Sequence, residues 1–228
     1  MNRKRMQRLL AAGLSAALAL SLSACGGDTP AQNDNTTAAP SGESTGAAQP
    51  ADYGNILIAY FTADENTEAD AVSSASVTEI GGEEVGRVRA VADMIAAETG
   101  GELFSIQTSV EYPEDGGALI DYAAEEQDQN ARPELTTHIE NLDDYDTIFI
   151  GYPIWWGIAA WPVSSFVEAN DFTGKTVIPF CTSSSSGLGE SGDLLEELAG
   201  TGEWLDGQRF RSSVSEADVA DWVNGLGL

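Results

Sequence analysis

The chain has 228 residues, 42% of them hydrophobic, and a formal net charge of −27. That length suits one good-sized domain, and that charge excludes a nucleic-acid binder, which needs a basic footprint. Two cysteines supply no disulfide framework, so the fold must stand on its apolar core.

The N-terminus reads as a secretory signal peptide over residues 1–24. Arg3, Lys4, Arg5 and Arg8 precede an apolar run from Leu9 that ends in small residues, too short for an ordinary membrane span. Leu22-Ser23-Ala24-Cys25 resembles the bacterial lipobox. The resemblance implies cleavage before Cys25 and diacylglyceryl attachment to its sulfur, which anchors the protein on the outer side of the cell membrane. The competing reading is an ordinary signal peptide with a chance cysteine. Lipidation of Cys25 leaves Cys181 alone. Removing the leader leaves six basic residues against 37 acidic ones, a net of −31. This disfavours adhesion to anionic head groups and leaves the acyl chains as the membrane attachment. Docking to basic redox partners is one reading of the acidity. Solubility or a saline habitat is the simpler one, since net charge speaks to association and not to fold.

From Cys25 through residue 52 the chain is rich in Gly, Ser, Thr, Ala and Pro without periodicity. Such a segment cannot offset its ordering entropy by burial, so it reads as a flexible linker and the folded domain as residues 53–228. "NILIAYF" (55–61) is a continuous apolar strand. A long polar segment follows, then a helix near 86–99, with Val88, Val91, Ala92, Ile95 and Ala96 on one face and Gly100-Gly101 as its stop. "ELFSIQ" (102–107) is the second strand and "GALIDYAAEEQ" a helix. Residues 133–140 suit a short helical turn. "TIFIGY" (147–152) is the third strand. "WPVSSFVEAN" is a helix with Pro162 in its first turn. "KTVIPFC" (175–181) is the fourth strand, "SGDLLEELAG" a helix, and "EWLDGQRF" holds a weak fifth strand. "SEADVADWVNGLG" closes the chain as a helix, with Ser215 as N-cap and Gly225 as stop.

Strands that alternate with helices and read as unbroken apolar runs predict a parallel sheet covered on both faces. Right-handed crossovers make it a doubly wound α/β sandwich. Ligands then bind beyond the C-terminal ends of the strands. The loops there are the long polar segment after Thr62, "PIWWG" (153–157) and "TSSSSGLGES" (182–191).

"ILIAYFT…GRVRAVADMIA", "IFIGYPIWWGIAAWPVSSFVE" and "VIPFCTSSSSGLGES" resemble the three FMN-contacting segments of flavodoxins, and more narrowly the bacterial flavodoxin-like proteins with a YPIWWG loop. The similarity covers about residues 54–228. It implies a five-stranded flavodoxin-like sheet of order 2-1-3-4-5, bound FMN and electron transfer.

The first of these loops should hold the phosphate, because a helix N-terminus offers free N–H groups and a positive dipole end. Thr62 follows the strand as in the relatives. Gly86-Arg87-Val88 opens the helix where they resemble Gly-Asn-Thr. Val88 lacks the threonine hydroxyl, and Arg87 reaches either phosphate or solvent. Asn66-Thr67 is an alternative phosphate cradle, and a surface insertion without ligand role is another reading. The insertion carries Asp64, Glu65, Glu68, Asp70, Glu79, Glu83 and Glu84 and no base. These acids oppose phosphate binding unless they point away.

Pro153, Ile154, Trp155, Trp156 and Gly157 form the second contact segment. A flat apolar ring suits an aromatic wall. Trp156 matches the family's flavin-stacking tryptophan and Gly157 the glycine near flavin N5, whose peptide turns its carbonyl toward that nitrogen when it is protonated. The competing reading packs both tryptophans in the core; we expect the two to point differently. Trp161 is expected to pack at its helix start.

Thr182, Ser183, Ser184, Ser185, Gly187 and Gly189 offer hydroxyls and N–H groups to the ring's polar edge. A nucleophilic serine finds no support, since the chain has one histidine, His138, and no G-x-S-x-G elbow. Cys181 reads as a small buried residue. Tyr112-Pro113 either rims the flavin or a partner surface, or simply opens a helix.

The reading is an FMN-binding electron-transfer lipoprotein whose acidity lowers the potential of its flavin. Two alternatives stay open: an FMN-dependent NAD(P)H:quinone or flavin reductase, and a flavin-free binding lipoprotein of the same fold.

Overall fold

The computed structural model describes residues 54–66, 77–80, 82–113 and 115–227. The signal peptide, Cys25, the linker, Thr67, Glu68 and Asp70 lie outside the described residues.

The five expected strands are present. They are β1 (Ile56–Tyr60), β4 (Glu102–Ser105), β5 (Thr147–Trp155), β7 (Thr176–Thr182) and a fifth split into β8 (Glu203–Trp204) and β9 (Gln208–Phe210). They pair in the order β4-β1-β5-β7-β8, all parallel, with β9 also parallel to β7. This is the doubly wound order 2-1-3-4-5. The polar segment contributes an antiparallel hairpin of its own, β2 (Val77–Ile80) and β3 (Glu83–Gly86).

The helices are α1 (Arg87–Thr99), α2 (Gly116–Gln129), α3 (Trp161–Ala169), α4 (Ser191–Ala199) and α5 (Glu216–Gly225). Alternation along β1 assigns the two faces. Ile56, Ile58 and Tyr60 pack with Val88, Val91 and Ile95 of α1 and Val219 and Val223 of α5. Leu57, Ala59 and Phe61 pack with Leu119 of α2, Phe166 of α3 and Leu195 of α4. Each of the larger aliphatic or aromatic side chains among them contributes about 1.5–3 kcal/mol by leaving water.

The split in the fifth strand has a local cause. Lys175 and Val177 offer their carbonyls to Glu203 and Leu205, so odd-numbered residues of β7 face the fifth strand. Pro179 is the next in that series and has no N–H to give. The ladder is interrupted there and resumes at Phe180.

Helix ends follow the sequence in most cases. Gly100 takes a left-handed conformation, φ 74°, and donates to Ala96. Ser215 and Asp218 form a reciprocal capping box. Gly225 is the last helical residue and not the stop, since Leu226 continues in a right-handed conformation. Residues 133–140 are not helical: Leu135 bridges Thr108 instead, and the helical turn forms at Leu142–Asp144.

Candidate functional site

β5 runs three residues beyond its expected end. It reaches Trp155 and folds back at once into β6 (Ile158–Ala159), with Trp155 opposite Ile158. The connection is two residues long. Trp156 and Gly157 both have positive φ, 49° and 87°, the signature of a type I′ hairpin. Glycine adopts this freely; a tryptophan rarely does. The turn points Trp156 outward, 53% exposed, while Trp155 turns inward. The expected divergence of the two rings is therefore present.

Trp155 is braced from behind. Its ring meets Phe61 edge-on at 5.6 Å and Tyr112 at 5.3 Å. Tyr112 is buried, and its hydroxyl donates to Glu126 Oε1 at 3.0 Å. Tyr112 is thus neither a rim nor a plain helix opener but a support under the tryptophan. Glu126 is only 6% exposed, and its Oε2 has no hydrogen-bond partner among the described residues. Burial pushes its carboxyl up to about 7 against the opposing effect of the Tyr112 hydrogen bond.

A cavity of about 360 Å³ opens at the C-terminal ends of β5 and β7. Pro153, Ile154, Trp155, Trp156 and Gly157 form one wall, and Thr182, Ser183 and Ser184 form the lip. Eight of the residues singled out in the sequence therefore share one cavity. The opposite wall is α2, through Gly116, Leu119, Ile120 and Ala123. The sequence shows this helix but does not by itself mark it as a cavity wall. The signal was present: positions 116, 119, 120 and 123 recur at i, i+3, i+4 and i+7, one helix face. Ile120 is 56% exposed, so that face extends past the core to the cavity mouth. Ser186 also lines the cavity and was not singled out.

Ser185, Gly187 and Gly189 do not line it. Gly189 packs against the hairpin instead, and a Cβ added there would sit 3.4 Å from the Gly157 carbonyl. Ser183 Oγ spends its proton inside the loop, on the Ser186 carbonyl. Its hydroxyl is a strut, not a free donor.

Thr62, Gly86, Arg87 and Val88 also lie off this cavity's wall. They do lie together, where β1 ends and α1 begins. Gly86 is the N-cap of α1 and makes no side-chain cap bond; its missing Cβ is needed, because one would fall 2.2 Å from Thr62 Oγ1. Arg87 is half-buried. Val88 is 2% exposed and packed in the core, as its place on the apolar face of the helix leads one to expect. Only backbone N–H groups are left at that position to serve an anion.

Among the described acids of the insertion, Glu65 is held by neighbouring side chains and those on the hairpin face solvent. Glu65 accepts from Tyr60 Oη at 3.0 Å, from Ser105 Oγ at 2.5 Å and from Arg89 Nη1 at 3.3 Å. Burial and the Glu65 charge push the Tyr60 hydroxyl up to about 12. Glu79, Glu83 and Glu84 are exposed on the β2–β3 hairpin. Asn66 is committed to structure: it donates to the Thr62 and Ile106 carbonyls and accepts from Thr108 N–H. Its side chain is thus taken up inside the fold, and Thr67, the other half of that alternative, lies outside the described residues.

The flavodoxin family model matches residues 82–226, more than half of the chain. The chain belongs to the flavodoxin family. A presumed flavoprotein from Bacteroides eggerthii is 27% identical over 76% of this flavodoxin-family chain and 98% of its own, with a TM-score of 0.60. Another, from Bacteroides uniformis, is 29% identical over 75% and 98%, with a TM-score of 0.59. A flavoprotein from Lactobacillus acidophilus, solved in complex with FMN, shares the fold at 20% identity over 75% and 99%, with a TM-score of 0.53. No curated protein matches the sequence.

Proposed function

We propose that this flavodoxin-family chain binds FMN in the cavity between the Trp155–Trp156 hairpin and α2, and serves as an electron carrier. The observation that carries the reading is the pairing of two unlike walls in one cavity. The two facing walls are aromatic and aliphatic, from Trp155 and Trp156 and from Leu119 and Ile120; the lip is polar, from Thr182, Ser183 and Ser184. A flat ring that is apolar on its faces and polar along one edge fits that division. Gly157 adds open space, since a Cβ there would meet nothing within 4 Å. At the phosphate end, the first N–H groups of α1 and the Arg87 guanidinium are the groups suited to an anion.

FMN, when bound, supplies the electron chemistry. The chain holds the ring, and the hairpin bars water from one of its faces. We further place the chain among the relatives with a YPIWWG loop, on residues 152–157. The lipobox-like Cys25 favours a protein anchored by lipid on the outer side of the cell membrane. Its acidity favours basic partner proteins.

Titration of purified protein with FMN tests the reading. We expect quenched flavin fluorescence and a shifted visible band; neither change would leave a flavin-free binding protein as the better account. Steady-state oxidation of NAD(P)H with a quinone separates the carrier from the reductase: a carrier turns over slowly without a partner. Cys25→Ser should move the protein from the membrane fraction to the soluble one, and retention at the membrane would overturn the anchor.

A further inference from the structure

Arg209 belongs to none of the loops that the sequence marks for chemistry. It lies on β9, level with Cys181 of β7, and its guanidinium reaches the loop that follows Thr182. Nε donates to Ser183 Oγ at 2.8 Å, and Nη2 donates to the Ser183 carbonyl at 2.9 Å. Ser183 Oγ then donates to the Ser186 carbonyl. Ser183 and Ser186 both line the ring cavity. One rigid fork thus grips two acceptors of one residue, and a third bond closes the loop onto it.

The charge of this group also bears on the lip. Arg89 and Arg132 are paired with carboxylates. Arg209 makes no ion pair among the described residues, and it is half-buried. Its field is felt nearby: it opposes the rise that burial imposes on the Cys181 thiol. Fixed positive charge in a partly buried place is weakly screened. A flavin gains negative charge on its carbonyl-bearing edge when reduced, and the polar lip is the wall suited to that edge.

We propose that Arg209 is a positioning residue that shapes the Ser183–Ser186 lip for the polar edge of the flavin and raises the reduction potential of the bound ring against the acidic field of the rest of the chain. The proposal rests on the flavin reading above. Its two parts separate by substitution. Arg209→Met removes both fork and charge; Arg209→Lys keeps the charge and loses the fork.

FMN affinity by fluorescence quenching and midpoint potential by spectroelectrochemistry, on the wild type and both variants, test it. Thermal unfolding of the FMN-free proteins serves as the control for folding. We expect both variants to bind FMN about tenfold more weakly, the value of a charge-assisted hydrogen bond. The Met variant should show a lower potential and the Lys variant one near that of the wild type. A Met variant with unchanged affinity and potential overturns the proposal, and a Lys variant that follows Met in potential overturns its electrostatic half. If the Met protein does not fold, the Lys variant decides the positioning half, and unchanged FMN affinity overturns it. A wild type that binds no FMN refutes the flavin reading itself, a separate result from any difference among variants.

Discussion

Trp156 Nε1 donates a hydrogen bond to the Ile120 backbone carbonyl at 3.1 Å. This bond joins the hairpin tip to α2 across the cavity mouth. Gln127 Nε2 approaches the Trp156 carbonyl at 3.4 Å from the same helix. An exposed tryptophan in a left-handed conformation is costly on its own, and the tie to α2 offsets part of that cost. The residue is therefore held in place by the facing cavity wall as much as by its strand.

Trp156→Gly separates strain from binding. Glycine relieves the left-handed backbone, which costs about 1 kcal/mol or more for other residues. The FMN-free variant should unfold at a temperature equal to or above that of the wild type. Its affinity for FMN should fall about 10- to 100-fold through lost stacking and burial. Undiminished affinity would refute the stacking role of this ring.

Two glycines should respond to alanine for different reasons. Gly157→Ala meets open space but keeps φ 87°, so it should cost about 1–2 kcal/mol through backbone strain. Gly86→Ala has ordinary φ but drives its methyl into Thr62 Oγ1, an overpacking cost of about 1–3 kcal/mol. Denaturant unfolding measures both. A cavity-enlarging Thr62→Gly should rescue Gly86→Ala, whereas no neighbour is available to rescue Gly157→Ala.

Glu126 should make stability fall as pH rises from about 4.5 to about 7. Its folded pKa is raised from 4.5 to about 7 by burial, so in that window the folded state holds a proton that the unfolded state has released. The full loss is on the order of 3 kcal/mol, complete above the folded value and absent below the unfolded one. The Tyr112 hydroxyl that donates to the carboxyl, and that of neighbouring Tyr122, are both raised by burial and stay neutral through that range. Urea unfolding of the wild type and Glu126→Gln at pH 4.5 and pH 7.5 gives the difference. Parallel behaviour of the two proteins would remove Glu126 as its source.

Cys181 should be chemically silent in the folded protein. It is fully buried, and burial pushes its thiol up to about 12, so almost no thiolate is present at neutral pH. A Cys25→Ser protein should react with a thiol reagent only after denaturation. Rapid labelling under native conditions would show that β7 opens locally.

The sequence by itself determined the doubly wound class of the sheet and the address of the cavity, and its resemblance to flavodoxins implied the order of the strands. Continuous apolar runs such as residues 55–61 and 147–152 need cover on both faces, and that requirement alone calls for a doubly wound sheet. It also determined the residues of the Trp155–Trp156 turn and the Thr182–Ser184 lip, because ligands in such sheets gather at strand ends. Tertiary structure decided what pattern cannot carry. The wall from α2 depends on which way a helix face turns once docked. The fit of Gly86 against Thr62 Oγ1 follows from the docking of α1 beside the end of β1. The breach in the fifth strand required knowing which edge of β7 Pro179 faces. The grip of Arg209 on Ser183 joins residues 26 positions apart, and only the register between β7 and β9 brings that cation to the lip.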